Sequence, residues 1–126
     1  MKGVLVDSSV WIAYFRGSAE ALFLDPLLES GHAVVNDLIL AELVPHLLHD
    51  GKKQLAGLMR ALPRTELPVD WKAVEELQMK NLRHGINRVG IPDLIVLSDA
   101  IRHSLPLGTL DKHFRLMKKH TEFELA

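Results

Sequence analysis

The sequence has no cysteine. That excludes disulfides, thiolate chemistry and cysteine-based zinc sites, and it is compatible with a reducing cytoplasm, the compartment expected for this chain. It also has no apolar run near the roughly 18 residues a membrane span requires, so no membrane association is expected. Lys2 precedes an apolar run that breaks at Asp7, which is not the pattern of a secretory signal. Neither sign of charge is in excess: 15 Lys and Arg against 16 Asp and Glu leave a formal charge of −1. Nucleic-acid binding through bulk charge is therefore disfavoured, although a local basic patch can still provide it. Internal repeats, linkers and low-complexity segments are also lacking.

What is present fits one globular domain spanning residues 1–126, with 48% hydrophobic and 25% charged residues. The chain is organised around its beginning. The apolar run Val4-Leu5-Val6 stops at Asp7, and Ser8 and Ser9 lead into Val10-Trp11-Ile12-Ala13-Tyr14-Phe15 at helical spacing. This reads as a buried strand feeding a helix, with Asp7 at the strand's carboxyl end, where open α/β sheets bind their ligands.

The rest of the chain alternates in the same way. A helix from Ser9 to Phe15 ends near Gly17. Ser18 caps a second, running through Leu28, disturbed by Pro26 and closed by Gly31. His32 to Asn36 reads as a strand, followed by a helix from Leu38 to His49, capped by Asp37 and kinked at Pro45. That helix is apolar nearly all round, which predicts a partner surface, and Glu42 is the acid inside it. A helix from Lys52 to Leu62 presents Leu55, Leu58, Met59 and Leu62 on one side. A weak strand, Arg64 to Leu67, precedes a helix from Trp71 to His84 capped by Asp70. A polar loop, Gly85 to Gly90, carries Asn87 and Arg88. Pro92 opens a helix to His103 with Asp93 in its first turn. Leu105 to Leu110 is the next strand, ending in Asp111. A short basic helix, Lys112 to Lys119, and a final strand, Phe123 to Leu125, complete an α/β pattern with a mostly parallel sheet flanked by helices.

Four acids stand out by context: Asp7 and Asp111 after strands, Asp93 at a helix start, and Glu42 in an apolar helix. Strand ends and helix starts share one rim of a parallel sheet, so the four can converge. Acids on one rim repel, and a hard divalent cation, Mg²⁺ or Mn²⁺, is their natural neutraliser. Such a cation can orient water and stabilise charge on a phosphodiester. Asp99, about 120° round the helix from Asp93, is expected at the surface. Trp11, Tyr14 and Phe15 are expected in packing rather than in base stacking. His46 and His49 lack a third clustered ligand and are expected to be surface residues. Arg83, Arg88, Lys112, His113, Arg115, Lys118 and Lys119 are candidate phosphate contacts, with Arg88 foremost.

These pieces resemble the PIN-domain ribonucleases of the VapC toxin type. The resemblance rests on Val4 to Ile12, Ala41-Glu42-Leu43, Pro92-Asp93-Leu94-Ile95, and Leu107-Gly108-Thr109-Leu110-Asp111-Lys112-His113-Phe114, in the family's order. It implies a PIN-like α/β/α sandwich and a Mg²⁺- or Mn²⁺-dependent endoribonuclease with Asp7, Glu42, Asp93 and Asp111 as its catalytic and metal-holding set. Ser8 and Thr109 match hydroxyl positions beside the metal. A homodimer and a small antitoxin partner are also implied. Asn36 departs from the pattern, standing where family members often carry a hydroxyl. The competing readings are a phosphoryl-transfer protein, receiver-like or phosphatase-like, and an inactive PIN-like binding module. The phosphatase reading needs a second Asp where Ser9 stands. The receiver reading needs an acidic pair by the first strand and a late Lys.

Overall fold

A computed structural model describes residues 3–126; Lys2 lies outside the described residues. At the centre is β1 (Val4–Val6), paired in parallel with β2 (Ala33–Val34) on one side and β3 (Leu107–Gly108) on the other. The register sets Val4 beside Ala33 and Leu5 beside both Val34 and Leu107. Leu5 and Val6 are fully buried, as a central parallel strand covered on both faces requires. A Cβ at Gly3 would collide with the Val34 side chain and stand 2.7 Å from the His32 carbonyl oxygen, so the close strand approach there depends on glycine.

Single parallel bridges widen the sheet at each edge, Val35 to Arg64 and Leu107 to Leu125. The expected strands at Arg64 to Leu67 and Phe123 to Leu125 contract to these bridges, and His32 to Asn36 contracts to β2.

The helices are α1 (Ser8–Phe15), α2 (Leu24–Ser30), α3 (Asp37–His49), α4 (Lys53–Arg60), α5 (Trp71–Arg83), α6 (Ile91–Arg102) and α7 (Lys112–Met117). With the sheet they form an α/β/α sandwich. The single helix expected from Ser18 to Leu28 is instead a 3-10 turn, Ala19–Ala21, followed by α2. Pro26 falls in the first turn of α2, where no intrahelical N–H is lost. The chain leaves α2 through Gly31 at φ 74°.

Each strand hands over to a helix through an amide or acid cap. Asp7 accepts from the Ser9 backbone N–H at 3.0 Å, Asn36 from Ile39 at 2.9 Å, and Asp111 from His113 at 2.9 Å. The cap of α3 is therefore Asn36, with Asp37 the first helical residue.

The core runs through both layers. Trp11 is 1% exposed and its indole N–H donates to the Val6 carbonyl at 3.1 Å, so Trp11 is packing, with the half-buried Tyr14 and Phe15 rings against it. Ile39, Leu40, Leu43, Val44 and Leu47 of α3 all enter the core, so the helix has less spare apolar surface than its composition implies. Leu58, expected on the buried side of α4, is 63% exposed; Ala56 and Met59 point inward instead.

Asp99 corrects the expectation most clearly. It is buried, because α6 is covered all round from Leu94 to Ala100 and has no solvent face at that position. Its Oδ2 accepts from the Asn36 side-chain amide at 2.8 Å and the Thr65 hydroxyl at 2.6 Å. It thereby ties the start of α3 and the edge of the sheet to α6.

Candidate active site

The carboxyl ends of β1 and β3 are laced together by hydroxyls. Asp7 is 6% exposed, and its two oxygens are used differently. Oδ1 accepts the Ser9 hydroxyl at 2.5 Å in addition to the Ser9 N–H. Oδ2 accepts the Thr109 hydroxyl at 2.6 Å. The Ser9 oxygen in turn accepts from Leu110 N–H, and the Thr109 oxygen from Asp111 N–H, each at 3.0 Å. Burial pushes the Asp7 pKa above its ordinary value, and the Ser9 and Thr109 hydrogen bonds work against that rise.

Asp111 completes the β3 side. Its Oδ1 accepts both the backbone N–H and the Nδ1–H of His113, the latter at 2.8 Å. Asp93, half-buried in the first turn of α6, has a raised pKa. Burial contributes most, then the negative charges of Asp111 and Asp7, with His113 opposing. Glu42 on α3 is raised by desolvation first and then by Asp93; the Ser8 hydroxyl favours its charged form, and Asp7 adds a smaller push upward. The fields of the sequence-selected acids thus overlap at Glu42 and Asp93, and His113 opposes the rise at Asp93.

Among the described residues no three acids or imidazoles stand at ready-made metal-coordinating spacing. Asp7 and Asp111 direct oxygens at neighbouring donors instead. The donor set itself fits a hard divalent cation: four carboxylates, with Glu42 and Asp93 raised by burial and by neighbouring acids. His46 and His49 are exposed and form no cluster.

Ser9 is a residue the sequence reading passed over in favour of Ser8. The signal lay in the spacing, because a capping Asp bonds two or three residues ahead of itself. Ser8 faces Glu42 instead. Both Ser8 and Glu42 line a groove of about 640 Å³ between α1 and α3 that also carries Arg16, His46 and Lys52.

Arg88 is exposed in the loop before α6, at a left-handed φ of 69°, and has no ion pair with the acids. Lys118 is committed elsewhere: its ammonium donates to the Phe123 carbonyl and lies 5.3 Å from the Phe123 ring centroid.

The position two after Asp7, which a phosphatase of the aspartyl-phosphate type fills with a second acid, holds Ser9, and the segment after β3 carries Asp111 where a receiver needs a lysine. The PIN domain family model matches residues 4–120, nearly the whole chain. This chain belongs to the PIN-domain family. Among PIN-related proteins it is 27% identical over 130 aligned positions to VapC ribonuclease Mb1587 of Mycobacterium bovis, covering 98% of this chain and 97% of that one. Its fold is shared with a toxin–antitoxin complex from Klebsiella pneumoniae (TM-score 0.63, 20% identity, 87% of this chain and 88% of the other). FitAcB from Neisseria gonorrhoeae is similar too, with TM-score 0.67 and 18% identity over 96% of each chain. These two likenesses are of fold alone, and the family model carries the PIN assignment.

Proposed function

We propose that this PIN-domain protein is a Mg²⁺- or Mn²⁺-dependent endoribonuclease acting as the toxin of a toxin–antitoxin pair in the cytoplasm. The observation that carries the proposal is the acid rim, where Asp7 is held by Ser9 and Thr109 and its field reaches Glu42 and Asp93. The relative named a VapC ribonuclease supports the same reading.

Asp7, Glu42, Asp93 and Asp111 would hold the cation. When bound, it supplies Lewis acidity at the scissile phosphate and charge stabilisation as water adds to phosphorus. The chain's own residues do the rest. Thr109 and Ser9 keep Asp7 in one orientation, so the rim is prearranged before substrate arrives. The Glu42 carboxylate is exposed and has a raised pKa, which suits it to take the proton from the attacking water. The Ser8 hydroxyl, which favours the charged form of Glu42, is proposed to orient it toward the rim. Arg88 is proposed as a contact to the RNA backbone.

A small antitoxin and a second copy of the chain are the proposed protein partners. Support comes from the names of the structural neighbours and from a groove of about 440 Å³ along α3 and α4, where Leu40, Val44 and Leu48 meet Arg60 and Arg64.

The test offers one preparation labelled single-stranded RNA, labelled single-stranded DNA and a phosphomonoester in Mn²⁺. Cleavage of RNA alone is expected. Release of phosphate from the monoester with intact RNA would replace the proposal by the phosphoryl-transfer reading. Inertness toward all three would favour a binding module.

A further inference from the structure

A second polar surface begins where the acid rim ends. His113, whose Nδ1–H is held by Asp111, also lines a groove of about 410 Å³ between the end of α5 and α7. At the far side of that groove two imidazoles stack. The rings of His84 and His120 have centroids 3.5 Å apart and lie 18° from parallel. Asn87 and Lys119 line the space as well, and no carboxylate does. His84, Lys119 and His120 are all exposed.

His84 Nδ1 lies 2.9 Å from the Lys80 carbonyl, which can only accept, so Nδ1 carries the proton and Nε2 is the atom left to take another. The pair therefore offers an exposed aromatic platform beside a lysine. Base stacking on histidine together with lysine at phosphate is the usual chemistry of single-stranded RNA recognition. A surface for an acidic peptide would have less use for a stacked ring pair connected to a nuclease rim.

We propose that this groove is the track for the RNA strand leaving the acid rim, with the His84–His120 stack as a platform for one base and Lys119 as a phosphate contact. The proposal rests on the nuclease reading above. The groups facing His120 are His84, Lys119 and Lys80, with His113 across the groove. Desolvation first, then the charges of His84, Lys119 and Lys80, lowers the His120 pKa. A phosphate placed there would oppose the lowering, and RNA affinity should rise as pH falls toward about 6.

Fluorescence anisotropy of a short labelled single-stranded RNA, measured in EDTA to prevent cleavage, tests this in the full chain. The double variant H84Q/H120Q should bind about tenfold more weakly and lose most of the gain in affinity between about pH 8 and about pH 6. Because His113 is kept in that variant, the change is read from the stacked pair alone. Lys119→Ala should lower the slope of log affinity against log salt by about 0.7, the effect of one phosphate contact on a single strand. It leaves both rings in place, so it gives the reading even if the double variant folds poorly. Lys53→Ala, on α4 and outside the groove, should change neither quantity. Wild type that binds RNA with variants indistinguishable from it would overturn the track and leave the nuclease reading standing. Wild type that binds no RNA would overturn the track, and the cleavage assay in Mn²⁺ then decides the nuclease reading separately.

Discussion

The Thr109 hydroxyl donates to Asp7 Oδ2 at 2.6 Å, joining side chains 102 positions apart and fastening the end of β3 to the end of β1. Thr109→Val keeps the shape and removes the donor. The buried carboxylate would lose one of the bonds that favour its charged form, so the Asp7 pKa should rise further. Stability near neutral pH should fall by about 1–3 kcal/mol, the cost of an unmade bond to a buried group. Thr109→Ser should recover most of it. Urea unfolding of the three proteins in EDTA measures the difference, and equal midpoints for Val and wild type would show that the bond contributes nothing.

Asp93→Asn should raise the melting temperature of the metal-free protein. Asp93 is kept above its ordinary pKa by burial and by the charges of Asp111 and Asp7, and an amide relieves both. Because Asp93 is half-exposed, solvent limits the gain to a few degrees at most. Saturating Mn²⁺ should reverse the order, since wild type gains binding energy the variant lacks. If Asp93 only complemented the start of α6, Asp93→Asn would melt lower with or without metal.

The pH dependence follows in sign from the same groups. Asp7, Glu42 and Asp93 have folded-state pKa values above their ordinary ones of 3.8, 4.5 and 3.8. A raised acid binds more protons in the folded state than in the unfolded state. Its contribution is therefore most favourable below the unfolded value and is lost as pH rises through the unfolded and then the folded pKa. Subtracting the stability of Asp7→Asn from that of wild type, across the acid range in EDTA, isolates one such contribution. The difference should move against wild type with increasing pH; movement in its favour would mean that the hydrogen bonds outweigh burial.

Much of this arrangement is legible in the sequence. An acid closing a short apolar run marks Asp7 and Asp111, and Pro92 marks the helix start that carries Asp93. What stays hidden depends on tertiary packing or on a one-residue choice between similar side chains. Asn36 and Asp37 both suit a helix cap, as Ser8 and Ser9 both suit a partner for Asp7, and backbone geometry decides between them. Asp99 is hidden for a different reason. A helical-face argument assumes one face reaches water, and α6 is covered all round there.

That burial leads to its own prediction. Asp99→Ala leaves the Asn36 amide and the Thr65 hydroxyl without their shared acceptor. The loss should be about 1–3 kcal/mol, with Asp99→Asn retaining part of it through its carbonyl oxygen. A surface acid would tolerate either change, so an unchanged melting temperature for Asp99→Ala would contradict the network.

The measurement closest to the central claim is the cleavage rate of a single-stranded RNA by wild type and by Asp7→Asn, Glu42→Gln, Asp93→Asn and Asp111→Asn, each in Mg²⁺, in Mn²⁺ and in EDTA. Four acids acting as one metal site predict cleavage by wild type in either metal, none in EDTA, and at least a hundredfold loss in Asp7→Asn and Asp93→Asn, on the order of a lost catalytic group. Full activity in EDTA, or variants that cleave as fast as wild type in Mn²⁺, would contradict it.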